Sequence, residues 1–515
     1  MTNAYSLFRS VVIYGICVPL AIFLGYLLAN PVDFTSFLTV SLLFGLLMAP
    51  LLLRWHHLLL VLFWNSTMGL FFLPGRPTLA MALIAASFGI SMLSYIMNKR
   101  LKFISVPSVT WPLLFIVAVV LATAKLTGGI GVNALGSSQI GGRRYVVLLV
   151  SIMGYFALAA RRIPLEKANT YINLYFLGGM TSVFGHLAAI VSPSFYFIFL
   201  IFPPDTAGMV SRESAAGEQF TRLSSLAMSS MALMAWLLAR HNIRGLLDAK
   251  KWWRLPVFVF LLGACMLGGF RGMIITMVLT CALLFYLEGL MRSRMLPLVL
   301  ITALFTCAVA LPFADKLPLS IQRSITFLPL KLDPAAELSA SASTDWRIEM
   351  WKEVLPTVPK YLILGKGLTI DADELEMLTS GMNRGEIGAA ASELAGDYHN
   401  GPLSVVIPFG LLGLAGFVWF LGAGCRVLYR NYKFGDPALE NINRYLLAFF
   451  IVKIIGFFII FGAFASDMLS FGGAIGLSVA LNGGMLGPVK QPVQRKTARP
   501  LKLTPPVGVG AVTKA

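Results

Sequence analysis

His399, Arg271 and Arg222 are the residues of this 515-residue sequence whose type and setting best suit chemistry. His399 precedes Asn400-Gly401-Pro402. Proline is favoured at the first helical position and Asn or Gly just before it can cap, so an apolar helix is predicted to begin at Pro402. His399 then lies within a turn of a helix N-terminus. The positive end of a helix favours the neutral ring, the form a general base needs. Arg271 sits in Gly268-Gly269-Phe270-Arg271-Gly272, between two apolar runs, in a turn the glycines make sterically possible. A guanidinium there is costly unless it faces a cavity or an anionic partner. Arg222 follows Gln219-Phe220-Thr221 at the start of another apolar run. Arg143 and Arg144 close a Gly-rich stretch that opens at Thr127-Gly128-Gly129. Arg347 stands in Asp345-Trp346-Arg347-Ile348-Glu349-Met350-Trp351.

The elements that must position these groups are membrane helices. The chain is 57% hydrophobic and 12% charged, with a mean hydropathy of +0.79. Apolar runs long enough to span a bilayer recur throughout, and the short alternating segments of a β-barrel do not. The fold expected is all-α, a polytopic transmembrane bundle of about 12–14 spans. They fall near 11–29, 34–53, 57–73, 78–97, 110–126, 145–160, 170–191, 221–239, 255–270, 272–291, 296–313, 402–424, 444–464 and 467–486. The run 193–204 is apolar, short and proline-bounded, and reads as interfacial or re-entrant. No cleavable signal peptide is expected, because 11–29 is too long for one.

The formal net charge is +18. In a soluble protein this would point to nucleic acid. Here Lys and Arg cluster in short loops, as cytoplasmic loops require, and no nucleic-acid partner is expected. With Arg9 inside, the basic loops around Arg54, Lys99–Lys102, Arg161–Lys167, Arg240–Arg254, Arg292–Arg294 and Arg426–Lys433 all fall on one side. Both termini are then cytoplasmic. The other side holds 127–144, 205–222, the Arg271 turn and the long polar interval 314–401. Arg222, Arg271, Arg143 and Arg144 are thus basic residues on the side where short loops avoid them. The expected domains are transmembrane helices over 1–313, an extracytoplasmic catalytic loop over 314–401, C-terminal helices over 402–486 and a disordered Pro/Lys-rich tail over 487–515.

Within the polar interval, Asp345 to Leu355 reads as a helix capped by Ser343 or Thr344 and stopped by Pro356. Trp346, Met350, Trp351, Val354 and Leu355 form its apolar stripe, and Arg347 points away from it. Gly365-Lys366-Gly367 reads as a flexible turn. Asp371-Ala372-Asp373 resembles an acidic metal-binding pair, but a solvated acidic loop is the better reading, since no other ligand cluster accompanies it. The five cysteines lack metal-ligand spacing and read as buried apolar residues. No metal or cofactor is expected. His56 and His57 are read into an inner loop. Lys453 and Asp467 are charges in or at the edge of spans.

In order and sidedness, Thr221-Arg222-Leu223-Ser224, Gly269-Phe270-Arg271-Gly272, Arg347–Trp351, Gly365-Lys366-Gly367 and His399-Asn400 ahead of Gly410-Leu411-Leu412-Gly413 make one pattern over roughly 110–425. The combination resembles the O-antigen ligase and O-antigen polymerase superfamily of bacterial envelope enzymes. Where that family more often has Ser before its arginine, this chain has Gly268-Gly269-Phe270, which leaves the subfamily open. The resemblance implies a metal-independent, inverting glycosyltransferase of the lipid-carrier type in the bacterial inner membrane, with a periplasmic active site. Its donor would be a glycan on undecaprenyl pyrophosphate, and its acceptor a saccharide or lipid A core. Arg222 and Arg271, with Arg143, Arg144, Arg347 and Asn400 around them, would bind donor pyrophosphate or substrate, and His399 would deprotonate or orient the acceptor hydroxyl. Lipopolysaccharide, exopolysaccharide and protein O-glycosylation remain open as acceptor classes. The rival class is a non-catalytic transporter or flippase for lipid-linked sugars, which would show intramembrane charge chains and paired helix breaks; Lys453 alone speaks for it.

Overall fold

Apolar stretches bounded by prolines, glycines and small capping residues become helices in the computed structural model, which describes residues 34–73, 76–98, 103–130, 141–203, 222–370 and 398–488 with a few isolated positions besides. Among the described residues, seven helices are long and apolar enough to cross a membrane. They run within α1 (Phe34–Phe63), α2 (Leu79–Met97), α3 (Pro107–Leu126), α4 (Gly142–Ala159), α13 (Gly401–Phe434), α14 (Glu440–Ile455, continued by a π-helical turn over Gly456–Ile460) and α15 (Phe464–Asn482). Among the described residues, strand pairing is limited to one isolated bridge, Gly69 with Thr78. The chain is therefore an all-helical, multi-pass membrane protein. Between α4 and α13 lie α5 (Ala168–Leu177), α6 (Ser182–Val191), α7 (Ser224–Leu246), α8 (Arg254–Met266), α9 (Arg271–Leu287) and α10 (Met295–Ala310). The polar interval contributes α11 (Leu319–Ser324) and α12 (Pro334–Val354).

The predicted span 34–53 and the first residues of the predicted span 57–73 form one helix, which ends at Phe63. Pro50 lies inside it, and Arg54-Trp55-His56-His57 continues it. The polar run misled because both histidines are satisfied inside the bundle: His56 Nδ1 meets Ser87 Oγ at 2.7 Å and His57 Nε2 meets the Leu158 carbonyl at 2.9 Å. This removes one crossing ahead of residue 98. Charge alternation then no longer carries the N-terminus to the side of the basic loops. Apart from isolated positions, the predicted first span, loop 205–221, the Asp371/Asp373 pair and the C-terminal tail lie outside the described residues.

The two ends of the bundle are distinct. At one, buried Asn431, Asn443, Asn482 and Ser478 form a hydrogen-bonded cluster, and Ile163 N donates to Ala480 O at 2.8 Å. At the other end meet the start of α13, the turn between α8 and α9, α11, α12 and the residues just before α15. Small residues let the helices approach closely between these ends: a Cβ on Gly473 would lie 2.5 Å from the Tyr175 hydroxyl and 2.6 Å from Trp64 Nε1.

α13 is broken near its start. Pro408 has no N–H to give, and Gly410 takes φ 63°, ψ −166°. The carbonyls this frees are used: Lys366 N donates to Ile407 O (2.8 Å), Gly367 N to Pro408 O (2.9 Å), and Leu411 N donates back to Leu362 O (2.7 Å). Gly365 has φ +81°, and a Cβ on it would sit 2.2 Å from Pro408 O. Gly365-Lys366-Gly367 is thus not a flexible turn but the segment that closes the break.

Candidate functional site

The site is built around the turn 267–270. Its three successive carbonyls are all taken: Leu267 O by Leu223 N (3.1 Å), Gly268 O by Arg222 Nε (3.1 Å), and Gly269 O by an Arg323 guanidinium N–H. Gly269 has φ +67°, which a side chain would strain. The Arg222 guanidinium lies over the Phe270 ring, 4.2 Å from its centroid. Arg271 is the first residue of α9, so its charge adds to the positive end of that helix.

Arg323 was not singled out from the sequence, although it is a further arginine in the predicted outer interval. It belongs to α11, where Ser320, Gln322, Arg323 and Ser324 are all buried. The neighbours of Arg323 explain that burial. Ser324 Oγ donates to Met266 O (3.0 Å), and Gln322 Nε2 donates to Asp315 O and Leu317 O. Gln322 Oε1 accepts from Asp333 N at 2.7 Å, just where Asp333 caps α12 ahead of Pro334. Arg323 itself joins Gly269 O to Ser339, its Nε donating to Ser339 Oγ at 3.1 Å. α11 is a polar fastener between the α8–α9 turn and α12.

α12 starts earlier than expected. Asp333 and Pro334 begin it, so Ser343 and Thr344 are inside the helix and do not cap it. Thr344 has another use: its Oγ1 accepts from Arg271 Nη2 at 3.0 Å, and Ala340 O accepts from the same nitrogen at 3.1 Å. Arg347 follows one turn on. Burial of Arg323 (7% exposed), followed by repulsion from Arg222, Arg271 and Arg347, lowers its pKa to about 10. Three guanidinium groups therefore act on a fourth here. The recorded partners of Arg271 and Arg323 are hydroxyl and carbonyl oxygens, not carboxylates. Such a cluster can accept a polyanion at several points at once.

His399 lies beside it. Its ring lies between Trp346 of α12 and Phe461, with centroids 5.1 Å away on each side and the planes tilted by 55° and 46°. Its backbone is left-handed, φ +48°, uncommon outside glycine and a form of strain that recurs at functional sites. Asn400 caps the helix that follows: Leu403 N donates to its Oδ1 at 3.1 Å, and α13 starts at Gly401 instead of Pro402. Trp351 Nε1 donates to Tyr398 O at 2.9 Å, and Met350, Val354, Tyr398, Leu403 and Ile407 pack together, pinning α12 over the start of α13.

One segment touches both halves of the site. A Cβ on Gly272, next to Arg271, would meet Ile460 Cγ2 at 3.2 Å, and the next residue, Phe461, faces His399. The end of this segment is held by Asp467, whose Oδ2 accepts from Ala463 N (2.9 Å) while its Oδ1 pairs with Lys453 Nζ (2.7 Å). Lys453 and Asp467 thus support the aromatic wall behind His399. α12 completes the link, with Ala340 and Thr344 on the arginines and Trp346 on the histidine.

Arg144 and Arg143 are elsewhere. Arg144 donates to Leu368 O at 3.3 Å and lines a small cavity with Lys366, Thr369 and Tyr398; Arg143 is exposed. Neither is among the cations acting on Arg323.

At one end of a membrane bundle, then, a cluster of arginines stands beside a histidine held between two aromatic rings. Residues 256–418, about a third of the chain, match the family model described as O-Antigen ligase, which shows the O-antigen ligase superfamily over that segment. The matched segment holds Arg271, Arg323, Arg347, His399 and Asn400, and leaves out Arg222, Arg143 and Arg144. No curated protein matches the chain. The match supports a ligase- or polymerase-like domain over that segment of a membrane protein; the family it resembles takes lipid-linked glycans and saccharide acceptors.

Proposed function

We propose that the protein is a glycosyltransferase that moves or polymerises a glycan from undecaprenyl pyrophosphate onto an acceptor hydroxyl, at the outer face of the bacterial cytoplasmic membrane. The observation that carries this is the junction of Arg323, flanked by Arg222, Arg271 and Arg347, with a histidine held between two aromatic rings under one helix, α12.

Arg222, Arg271, Arg323 and Arg347 hold the pyrophosphate. Their fixed charges take up the negative charge that grows on it as the glycosidic C–O bond breaks, the work a metal ion would otherwise do. His399 takes the proton of the acceptor hydroxyl as that oxygen attacks the anomeric carbon from the opposite face, with inversion. Trp346 and Phe461 fix the ring plane, so the nitrogen is aimed before substrate arrives. Undecaprenyl pyrophosphate leaves, and α12 keeps water from competing with the acceptor. Arg144 and Lys366 belong to the pocket wall on the Tyr398 side, where they contact the glycan or acceptor.

The test is transfer by purified protein from a lipid-pyrophosphate glycan, comparing wild type with His399→Ala and Arg271→Ala. Full activity of His399→Ala would sink the catalytic assignment. Binding of the lipid with transport but no transfer by wild type would favour a flippase. Labelling of Lys352→Cys, on the exposed face of α12, from outside intact cells tests sidedness; protection there would overturn it.

A further inference from the structure

We propose that the groove between α3 and α13, at the end of the bundle away from the arginine site, binds the phosphate headgroup of an anionic glycerophospholipid. The groove has a volume of about 420 Å³. Its position follows from α13: the site lies at Gly401, and Trp419 to Arg426 come roughly 27–38 Å further along at ~1.5 Å per residue, a bilayer core away.

The helices make this groove by splaying. At Gly416 they are tight: a Cβ there would lie 2.7 Å from the Phe115 ring. At Gly422, less than two turns on, a Cβ would meet nothing within 4 Å. Between them Trp419 and Phe115 are 6.1 Å apart, centroid to centroid. Trp111 and Trp419 form the walls and are 63% and 51% exposed, amphipathic rings of the kind that sit at headgroup depth.

Three features at the mouth favour an anion. α3 begins there at Pro107, with no side-chain cap on its N-terminus. Ser108 Oγ is buried and has no hydrogen-bond partner. Arg426 also lines the groove, and none of the described lining residues is acidic. A zwitterionic headgroup would bring its ammonium beside Arg426 with no carboxylate among them to receive it, so a net-negative headgroup is selected. Free phosphate would satisfy Arg426 but leave both tryptophans uncovered, so the occupant is a lipid.

Native mass spectrometry of the detergent-purified protein, titrated with phosphatidylglycerol or phosphatidylethanolamine, tests this. The structure leads us to expect a phosphatidylglycerol adduct that Arg426→Gln weakens about ten- to hundred-fold. Gly422→Leu, which fills the groove without a clash, should abolish it while thermal unfolding in lipid-free detergent is unchanged. Equal binding of both lipids, or an adduct indifferent to both substitutions, overturns the proposal. So does protection by inorganic phosphate as strong as that by phosphatidylglycerol, which would make the groove a free-anion site.

Discussion

Replacing Arg323 by glutamine tests the arginine cluster most directly. The side chain is buried and ties Gly269 to Ser339. Hydrogen bonds from a charged donor are worth about 1.5–3 kcal/mol each, so losing both contacts costs about 3–6 kcal/mol. Opposing this, a pKa lowered from 12.5 to about 10 means that burial and three neighbouring arginines put roughly 3 kcal/mol on the charged form. Glutamine removes that penalty. Without ligand, the variant should therefore lose only about 0–3 kcal/mol. The sign of the linkage makes pH a poor probe: a cation whose folded pKa is depressed carries its full penalty below about 10 and is relieved only as pH rises from there towards 12.5. An anion is the better probe. Pyrophosphate relieves the repulsion in wild type, and losing one of four cations should weaken its binding about ten- to hundred-fold. The assay is thermal unfolding of purified protein across a pyrophosphate titration. Arg323→Lys separates the two roles: it keeps the charge, so protection largely survives, but a point charge cannot bridge Gly269 and Ser339, so basal stability falls. Wild-type protection in Arg323→Gln would refute the cluster as an anion site.

Further substitutions probe the surrounding frame. His399→Ala should lower the transfer rate about 10²–10⁴-fold while leaving donor-lipid binding unchanged, measured by turnover and a binding assay side by side. Gly401→Ala would put a Cβ 2.2 Å from Phe457 O, and the melting temperature should fall sharply; Gly263→Ala, with nothing within 4 Å, should leave it level or slightly higher. Gly365→Ala, strained at φ +81° and only 2.2 Å from Pro408 O, should cost several kcal/mol, about 3 or more, whereas Lys366→Gln should spare stability because its backbone N–H makes the contact. Asp467→Ala should destabilise more than Asp467→Asn, which retains an acceptor for Ala463 N; equal losses in unfolding experiments would show that only the Lys453 pairing matters.

Arg222, Arg271 and His399 were legible because each breaks a statistical habit of membrane sequences: a basic residue on the wrong side, or a histidine just ahead of a Gly-Pro helix start. Arg323 breaks no such habit. An arginine in a polar interval is ordinary until α11 folds under α12, and its burial exists only in the tertiary structure. The same holds for Arg54–His57, where a polar run signals a loop unless Ser87 and Leu158, far along the chain, receive the histidines. α12 was half legible. Its apolar stripe from Trp346 onward was visible, but the Ser/Ala stretch before it carries no such stripe to mark it, and the real cap, Asp333 before Pro334, lies about three turns upstream. Gly365-Lys366-Gly367 looked loose because its partners are carbonyls set free by a break at Gly410, and local sequence does not record a distant vacancy.

The break at Gly410 has a mechanical consequence. A transmembrane helix tilts to match the thickness of the lipid around it, and a rigid rod would swing its end with every change of bilayer. α13 is two rods. The short one, Gly401–Phe409, is clamped by 362–367, by Phe457 and by Ser404 bonded to Phe464 N. The long one, beyond Gly410, is packed along α3, α14 and α15, with Phe417, Phe420 and Val427 buried and Asn431 bonded to Ser478. The break therefore separates a rod fixed to the site from a rod fixed to the bundle, so that the direction of one need not set the direction of the other.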